Sequence, residues 1–264
     1  MTHERNRLRT TFDEAASLYD EVRPGYPEDL FDDVVSLSGI RPEGRILEIG
    51  CGTGQATVPF ARRGYRILCV ELGENMTAVA HRKLGGYPRT EVRTGAFDLA
   101  ISATAFHWLD PAIAYPKVAG ALRDGGSLAL FWNVHVHSDA SRGFFEAAQR
   151  IYEREAPEIV GPEDYKGLSR PEEVPDRTAE IEDSGLFGDV IRRAYRWDEA
   201  YDTEGYLRVL STYSGHRSLS DDTRKRLFRG IADLIDSEFG GRIVKGYLTT
   251  LYVAHPKRLN CRRR

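Results

Sequence analysis

The sequence predicts an α/β fold in which helices cover a mostly parallel sheet, and two observations carry that expectation. Between residues 45 and 132, short β-branched or leucine-rich runs alternate with helical patterns, as parallel strands joined by crossover helices do. Glycines then stand where those helices should close, at Gly64, Gly85-Gly86 and Gly125-Gly126. With 264 residues, 41% of them hydrophobic, the chain can bury one substantial core, so a single domain over 1–264 is expected.

The strands fall at 45–49, 66–71, 91–93, 99–103 and 127–132, with helices at 55–63, 74–84 and 110–122. Asp110-Pro111 supplies an N-cap followed by a proline whose fixed φ suits the first helical position. The stretch 139–180 is charged and proline-bearing, with an amphipathic run at 144–153, and is read as a helical insertion after the fifth strand. Two further strands, 190–197 and 243–253, are separated by helices at 203–211 and 221–237. The second helix carries the apolar stripe Leu227, Ile231, Leu234 and Ile235.

The 37 basic and 40 acidic residues are spread along the chain, so no global field favours nucleic acid or an anionic membrane. Three arginines at 262–264 provide few phosphate contacts. Cys51, Cys69 and Cys261 lie far apart without Cys-x-x-Cys spacing, which fits reduced thiols. No signal-peptide pattern opens the chain and no run reaches the roughly 18 apolar residues that span a bilayer, so a soluble cytoplasmic protein is expected.

The informative segment is Leu47-Glu48-Ile49-Gly50-Cys51-Gly52-Thr53-Gly54, a strand running into glycines and then a helix. Such a turn lets a ligand approach backbone, because a side chain would bar it and positive φ costs glycine little. Glu71 closes the second hydrophobic run, where a carboxylate at a strand's C-terminal end can accept both hydroxyls of a ribose. Those two features imply a nucleoside-bearing ligand. A dinucleotide fingerprint wants a third small residue where this chain has Gln55, which weakens an NAD reading.

The glycine run, with Glu48 as its leading acid, instead resembles the first motif of class I S-adenosylmethionine-dependent methyltransferases. Phe12-Asp13, Tyr19-Asp20 and Arg23-Pro24-Gly25-Tyr26-Pro27 resemble the N-terminal lid of small-molecule members. The segments 102–111 and 122–128 resemble those after the fourth strand and into the fifth. The resemblance implies a Rossmann-like, seven-stranded, mostly parallel sheet of order 3-2-1-4-5-7-6, its last strand antiparallel. A lid over about 1–40 and a helical cap over about 139–180 would complete it. It also implies S-adenosyl-L-methionine as cofactor: Gly50, Gly52 and Gly54 lie against its methionyl arm and ribose, Glu71 on the ribose hydroxyls, and Leu72 and Met76 near the adenine. The acceptor would be a small molecule. An NAD(P)-dependent oxidoreductase and a non-catalytic S-adenosylmethionine-binding protein stand as alternatives.

From the lid, Arg23 would pair with the cofactor's carboxylate and Tyr19 and Tyr26 would close over its methionine arm; otherwise Arg23-Pro24 is a surface turn and the tyrosines pack on the first helix. His107, at a strand's C-terminal end, either accepts a proton from the acceptor or only holds its loop by hydrogen bonding. Phe106 and Trp108 should face opposite ways, and Asn133 can reach the cleft. Tyr213 and His216 either close an acceptor pocket or are surface residues. His135 and His137 share a strand face, yet two histidines without a third ligand make no metal site. Between 91–93 and 99–103 the link is short. Crossing three strand spacings takes about 14 Å, whereas the three Cα steps from Thr94 to Phe97 cover about 11 Å. A loop near Gly95-Ala96 is therefore expected to be absent from this sequence.

Overall fold

The computed structural model describes residues 15–71, 73–89, 97–160 and 168–257. Two compact units divide the chain. Unit 1 comprises Met1–Pro24, Val134–Val174 and Arg196–Leu248; unit 2 comprises Gly25–Asn133, Pro175–Tyr195 and Thr249–Arg264.

In order along the chain lie α1 (Ala16–Val22), α2 (Glu28–Ser38), β1 (Arg45–Ile49), α3 (Thr57–Arg62), β2 (Arg66–Val70), α4 (Glu74–Leu84) and β3 (Phe97–Ala103). There follow α5 (Pro111–Ala121), β4 (Leu122–Val136), α6 (Phe144–Glu155), α7 (Thr178–Glu182) and β5 (Phe187–Asp202). The chain continues through α8 (Thr203–Leu210), α9 (Ser214–Ser218), α10 (Asp221–Glu238) and β6 (Arg242–Pro256).

The strands form one sheet of order β2-β1-β3-β4-β6-β5. Strand β1 is parallel to β2, with Leu47 beside Leu68, and to β3, with Leu47 beside Ala100; β3 is parallel to β4. Strand β6 runs against β4: Ser127 meets His255 and Asn133 meets Thr249, one number falling as the other rises. It runs against β5 in the same way, Trp197 stacking on Tyr247 and Lys257 N–H donating to Leu186 O. The order is the expected one with one difference. Six strands are seen among the described residues rather than seven, because the expected strand at 91–93 and the junction at Gly95-Ala96 lie outside them. Ile67 N–H donates to Arg89 O, which puts Arg89 at the outer edge of β2, on the side where a third strand was expected.

Several local expectations are corrected. Gly125-Gly126 does not close α5, whose C-cap is Leu122; both glycines fall inside β4, at an irregularity in its pairing with β3. Gly126 sits so tightly that a Cβ there would come 3.0 Å from Arg123 O and 3.1 Å from Phe97 O. The helix expected at 55–63 starts only at Thr57, because turns occupy 52–56. Asp110 caps α5 as expected, its side chain accepting from Ala112 N–H with Pro111 next.

In unit 2, α2 and α3 bury Leu30, Phe31 and Phe60 against Ile46, Ile67, Leu99, Ile101 and Phe131 of the sheet. Phe31 and Phe60 meet edge to face at 5.3 Å, an arrangement that adds to their area burial. In unit 1, the α10 stripe Leu227, Ile231, Leu234 and Ile235 is buried with Phe144, Ala148 and Ile151 of α6. Gly230 lets these helices close, since a Cβ there would come 2.9 Å from Ile151 Cγ2. Ile231→Ala, at a fully buried site, should cost about 2–5 kcal/mol in urea denaturation. Ile113→Ala, at a position 54% exposed, should change stability by less than about 0.5 kcal/mol; equal effects would contradict this packing.

Candidate functional site

The turn after β1 is built from left-handed backbone. Gly50, Gly52 and Gly54 have φ of 72°, 56° and 83°, a region L side chains rarely adopt. Gly50 is constrained twice, because a Cβ would lie 2.6 Å from Ala105 Cβ. The N–H groups of Gly50 and Cys51 both point to Val70 O, at 2.8 and 3.4 Å, which docks the loop on the end of β2.

There Glu71 grips the loop. Its Oε2 accepts from Gly52 N–H at 2.8 Å and its Oε1 from Gly73 N–H at 3.0 Å. A carboxylate accepts through both oxygens, as Glu71 does here. Met76, on α4, is buried; Leu72 lies outside the described residues. A cavity of about 420 Å³ opens beside Glu71, lined also by Cys51, Cys69, Thr77, His81 and Tyr87. Cys51 and Cys69 are free thiols.

Glu48 lies beneath the loop, fully buried, and neither carboxyl oxygen has a hydrogen-bond partner among the described residues. Burial raises its pKa well above the ordinary value, Cys69 and Glu71 push the same way, and the Thr57 hydroxyl opposes them. The group is thus held neutral, as a buried carboxyl without a counter-charge must be.

At the ends of β3 and β4, Thr104 takes a positive φ of 51° and its Oγ1 meets the Tyr26 hydroxyl at 2.9 Å. Tyr26 packs edge-on against Phe131 at 5.1 Å and Phe31 at 6.4 Å, so this tyrosine is fastened to the strand ends and to α2. Asn133 donates to Gly25 O and accepts from Thr249. His107 sits on a short 3₁₀ turn, Phe106–Trp108, and its Nδ1 accepts the Trp132 indole N–H at 3.1 Å. An indole nitrogen only donates, so Nδ1 is the unprotonated nitrogen and Nε2 bears the ring hydrogen. Phe106 is buried against Tyr115 while Trp108 is half-buried, as the sequence suggested.

The remaining candidates belong to unit 1. Arg23 donates through Nε to Thr212 Oγ1 at 2.8 Å, and its guanidinium lies 4.2 Å from the Tyr213 ring centroid and 5.0 Å from that of Tyr19. Tyr213 and His216 line a cavity of about 780 Å³, together with His135 and Lys245. His137 stands exposed. Among the described residues no cluster of His, Cys, Asp or Glu is arranged to hold a metal ion, and no helix is long and apolar enough to cross a membrane. Sequence reasoning missed Lys245. Its signal was a lone cation inside an apolar strand run, a place charged residues seldom occupy unpaired.

Residues 47–130, which hold the glycine loop, Glu71 and His107, match the family model of a methyltransferase domain. Over that segment the chain is similar to methyltransferase domains. It is 33% identical over 143 residues to an uncharacterized methyltransferase of Mycobacterium tuberculosis, covering 50% of this chain and 56% of that one. Thus the chain spans about half the length of the curated relatives it matches. An uncharacterized methyltransferase of Schizosaccharomyces pombe is 22% identical over 236 residues, covering 85% of this chain and 87% of its own. A solved structure described as a type II methyltransferase of Anaeromyxobacter dehalogenans superposes with a TM-score of 0.57 at 21% identity. That match covers 88% of this chain and 97% of the other, a likeness of fold. The left-handed glycine turn after β1 and the Glu71 carboxylate at the end of β2 fit the close approach of a nucleoside-bearing ligand.

Two outcomes follow. Glu71→Ala should weaken S-adenosylmethionine binding by about 1.5–3 kcal/mol, the scale of hydrogen bonds to a charged group; an unchanged dissociation constant would remove Glu71 from the site. Glu48 has a folded pKa above its unfolded one, so the folded chain holds the extra proton between them and stability falls as pH rises from 4.5 towards the raised value. Urea melts of Glu48→Gln should show a gain over the parent that grows from pH 5 to pH 8, and a gain independent of pH would contradict a neutral Glu48.

Proposed function

We propose that this protein transfers a methyl group from S-adenosylmethionine to a small-molecule acceptor, in the cytoplasm. The observation that carries the proposal is the left-handed glycine loop clasped by Glu71 at the end of β2. Bound there, the cofactor supplies an electrophilic methyl group on a sulfonium. The Glu71 carboxylate orients it, with Gly50, Gly52 and Gly54 giving close approach and Met76 an apolar wall.

In-line displacement at a methyl group asks mainly for orientation and removal of water. His107 fits that demand as a hydrogen-bond donor. With Nδ1 committed to Trp132, the ring presents N–H at Nε2 rather than a basic lone pair, so it positions an acceptor oxygen more readily than it removes a proton. In unit 1, Arg23 is held by Thr212 and by the Tyr213 ring.

Incubation with S-adenosylmethionine labelled in its methyl group, together with a small-metabolite extract and its protein and nucleic-acid fractions, separates the acceptor classes. Label should appear in the small-molecule fraction. Label confined to macromolecules would refute the acceptor class. His107→Ala should leave cofactor affinity within about twofold and lower kcat, and the loss should not be relieved by raising pH, as loss of a base would be.

A further inference from the structure

Lys245 lies in the middle of β6 and is 3% exposed. Its Nζ donates to the Tyr213 hydroxyl at 2.7 Å and lies 5.1 and 5.4 Å from the ring centroids of Tyr213 and Tyr247. Among the described residues it has no carboxylate partner. Removing an ammonium from water costs several kcal/mol unless an anion accompanies it, and a phenol and two aromatic faces are a partial substitute.

The surroundings deepen the imbalance. The Arg23 guanidinium lies over the ring of Tyr213, the same residue that accepts from Lys245. Lys245 and Arg23 together pull the Tyr213 phenol down against its burial. Two histidines facing the same space carry no charge that would help or hinder: burial and Lys245 lower His216 to about 4 and His135 to about 2. His216 shares its Nε2 with the Tyr152 hydroxyl at 2.8 Å, whereas His135 Nε2 is buried without a partner among the described residues. The acidic groups on the lining, Glu146 and Glu153, form no ion pair with Lys245. What remains is a cavity of about 780 Å³ with a buried cation, an unmet imidazole nitrogen and a wall of Phe145, Tyr152, Tyr206 and Leu210.

We infer that this cavity of unit 1 binds a small organic acid, its carboxylate on Lys245 and its apolar body against the aromatic wall. The carboxylate supplies the negative charge that Lys245 lacks, and His135 Nε2 offers a second polar contact. A neutral amide of the same shape leaves the ammonium uncompensated, so acid and amide should differ strongly.

The test titrates the full chain, saturated with S-adenosylhomocysteine, with three acid and amide pairs: phenylacetate and phenylacetamide, cinnamate and cinnamamide, cyclohexanecarboxylate and its amide. Binding is followed by calorimetry. At least one acid should bind more tightly than its amide by about tenfold or more, the scale of a hydrogen bond to a charged group. Lys245→Met should abolish that preference while retaining the parent affinity for S-adenosylhomocysteine. Absence of acid binding up to millimolar concentration, equal binding of acid and amide, or a preference that survives Lys245→Met overturns the inference. Should the variant not fold, the acid and amide comparison in the parent protein decides alone. Affinity for S-adenosylhomocysteine is measured separately in the same series: its loss with acid binding intact fails the methyltransferase reading, and its retention without acid binding fails only this one.

Discussion

The clasp between Glu71 and the glycine loop is the interaction on which the site of unit 2 depends. One carboxylate holds Gly52 N–H on one side and Gly73 N–H on the other, tying the turn after β1 to the start of α4. A loop of three left-handed glycines has more freedom to lose than any other backbone, so without such a tether the ordering cost would fall on the ligand. The Val70 carbonyl, taking N–H from both Gly50 and Cys51, holds the base of the same turn. The neutral carboxyl of Glu48 underneath is a stability cost that unit 2 carries in its core, 0% exposed and unbonded to the described residues.

Much of this arrangement was legible in the sequence because local rules and tertiary demands agree there. Glycines followed by a helix, and an acid at the end of the next strand, have few uses other than a nucleoside site. The α10 stripe and the Asp110-Pro111 cap were legible for the same reason, as the apolar spacing and the cap chemistry each have one reading. Where the expectations missed, a tertiary term had won. Gly125-Gly126 looks like a helix stop, yet the approach of Gly126 to the carbonyls of Phe97 and Asp98 shows that β4 needs a residue without a side chain opposite β3.

Side-chain partners were the least legible part. Nothing in the order of residues says that Trp132 would occupy His107 Nδ1. Arg23 and Tyr213 are far apart in sequence, and their stacking in unit 1 follows only from the fold. Lys245 was overlooked because strand patterns are read for their apolar members. The chemistry of unit 1, with a buried ammonium beside phenols and neutral imidazoles, contrasts with that of unit 2, where backbone amides and carboxylates dominate. A nucleoside suits the second environment and an anion the first.

The most direct measurement is calorimetric titration of the folded protein with S-adenosylhomocysteine and with NAD in parallel. The account predicts micromolar binding of S-adenosylhomocysteine with one site per chain and no heat from NAD. Binding of NAD in its place, or of neither by protein with an intact melting transition, would contradict it and leave the glycine loop as a turn without a ligand.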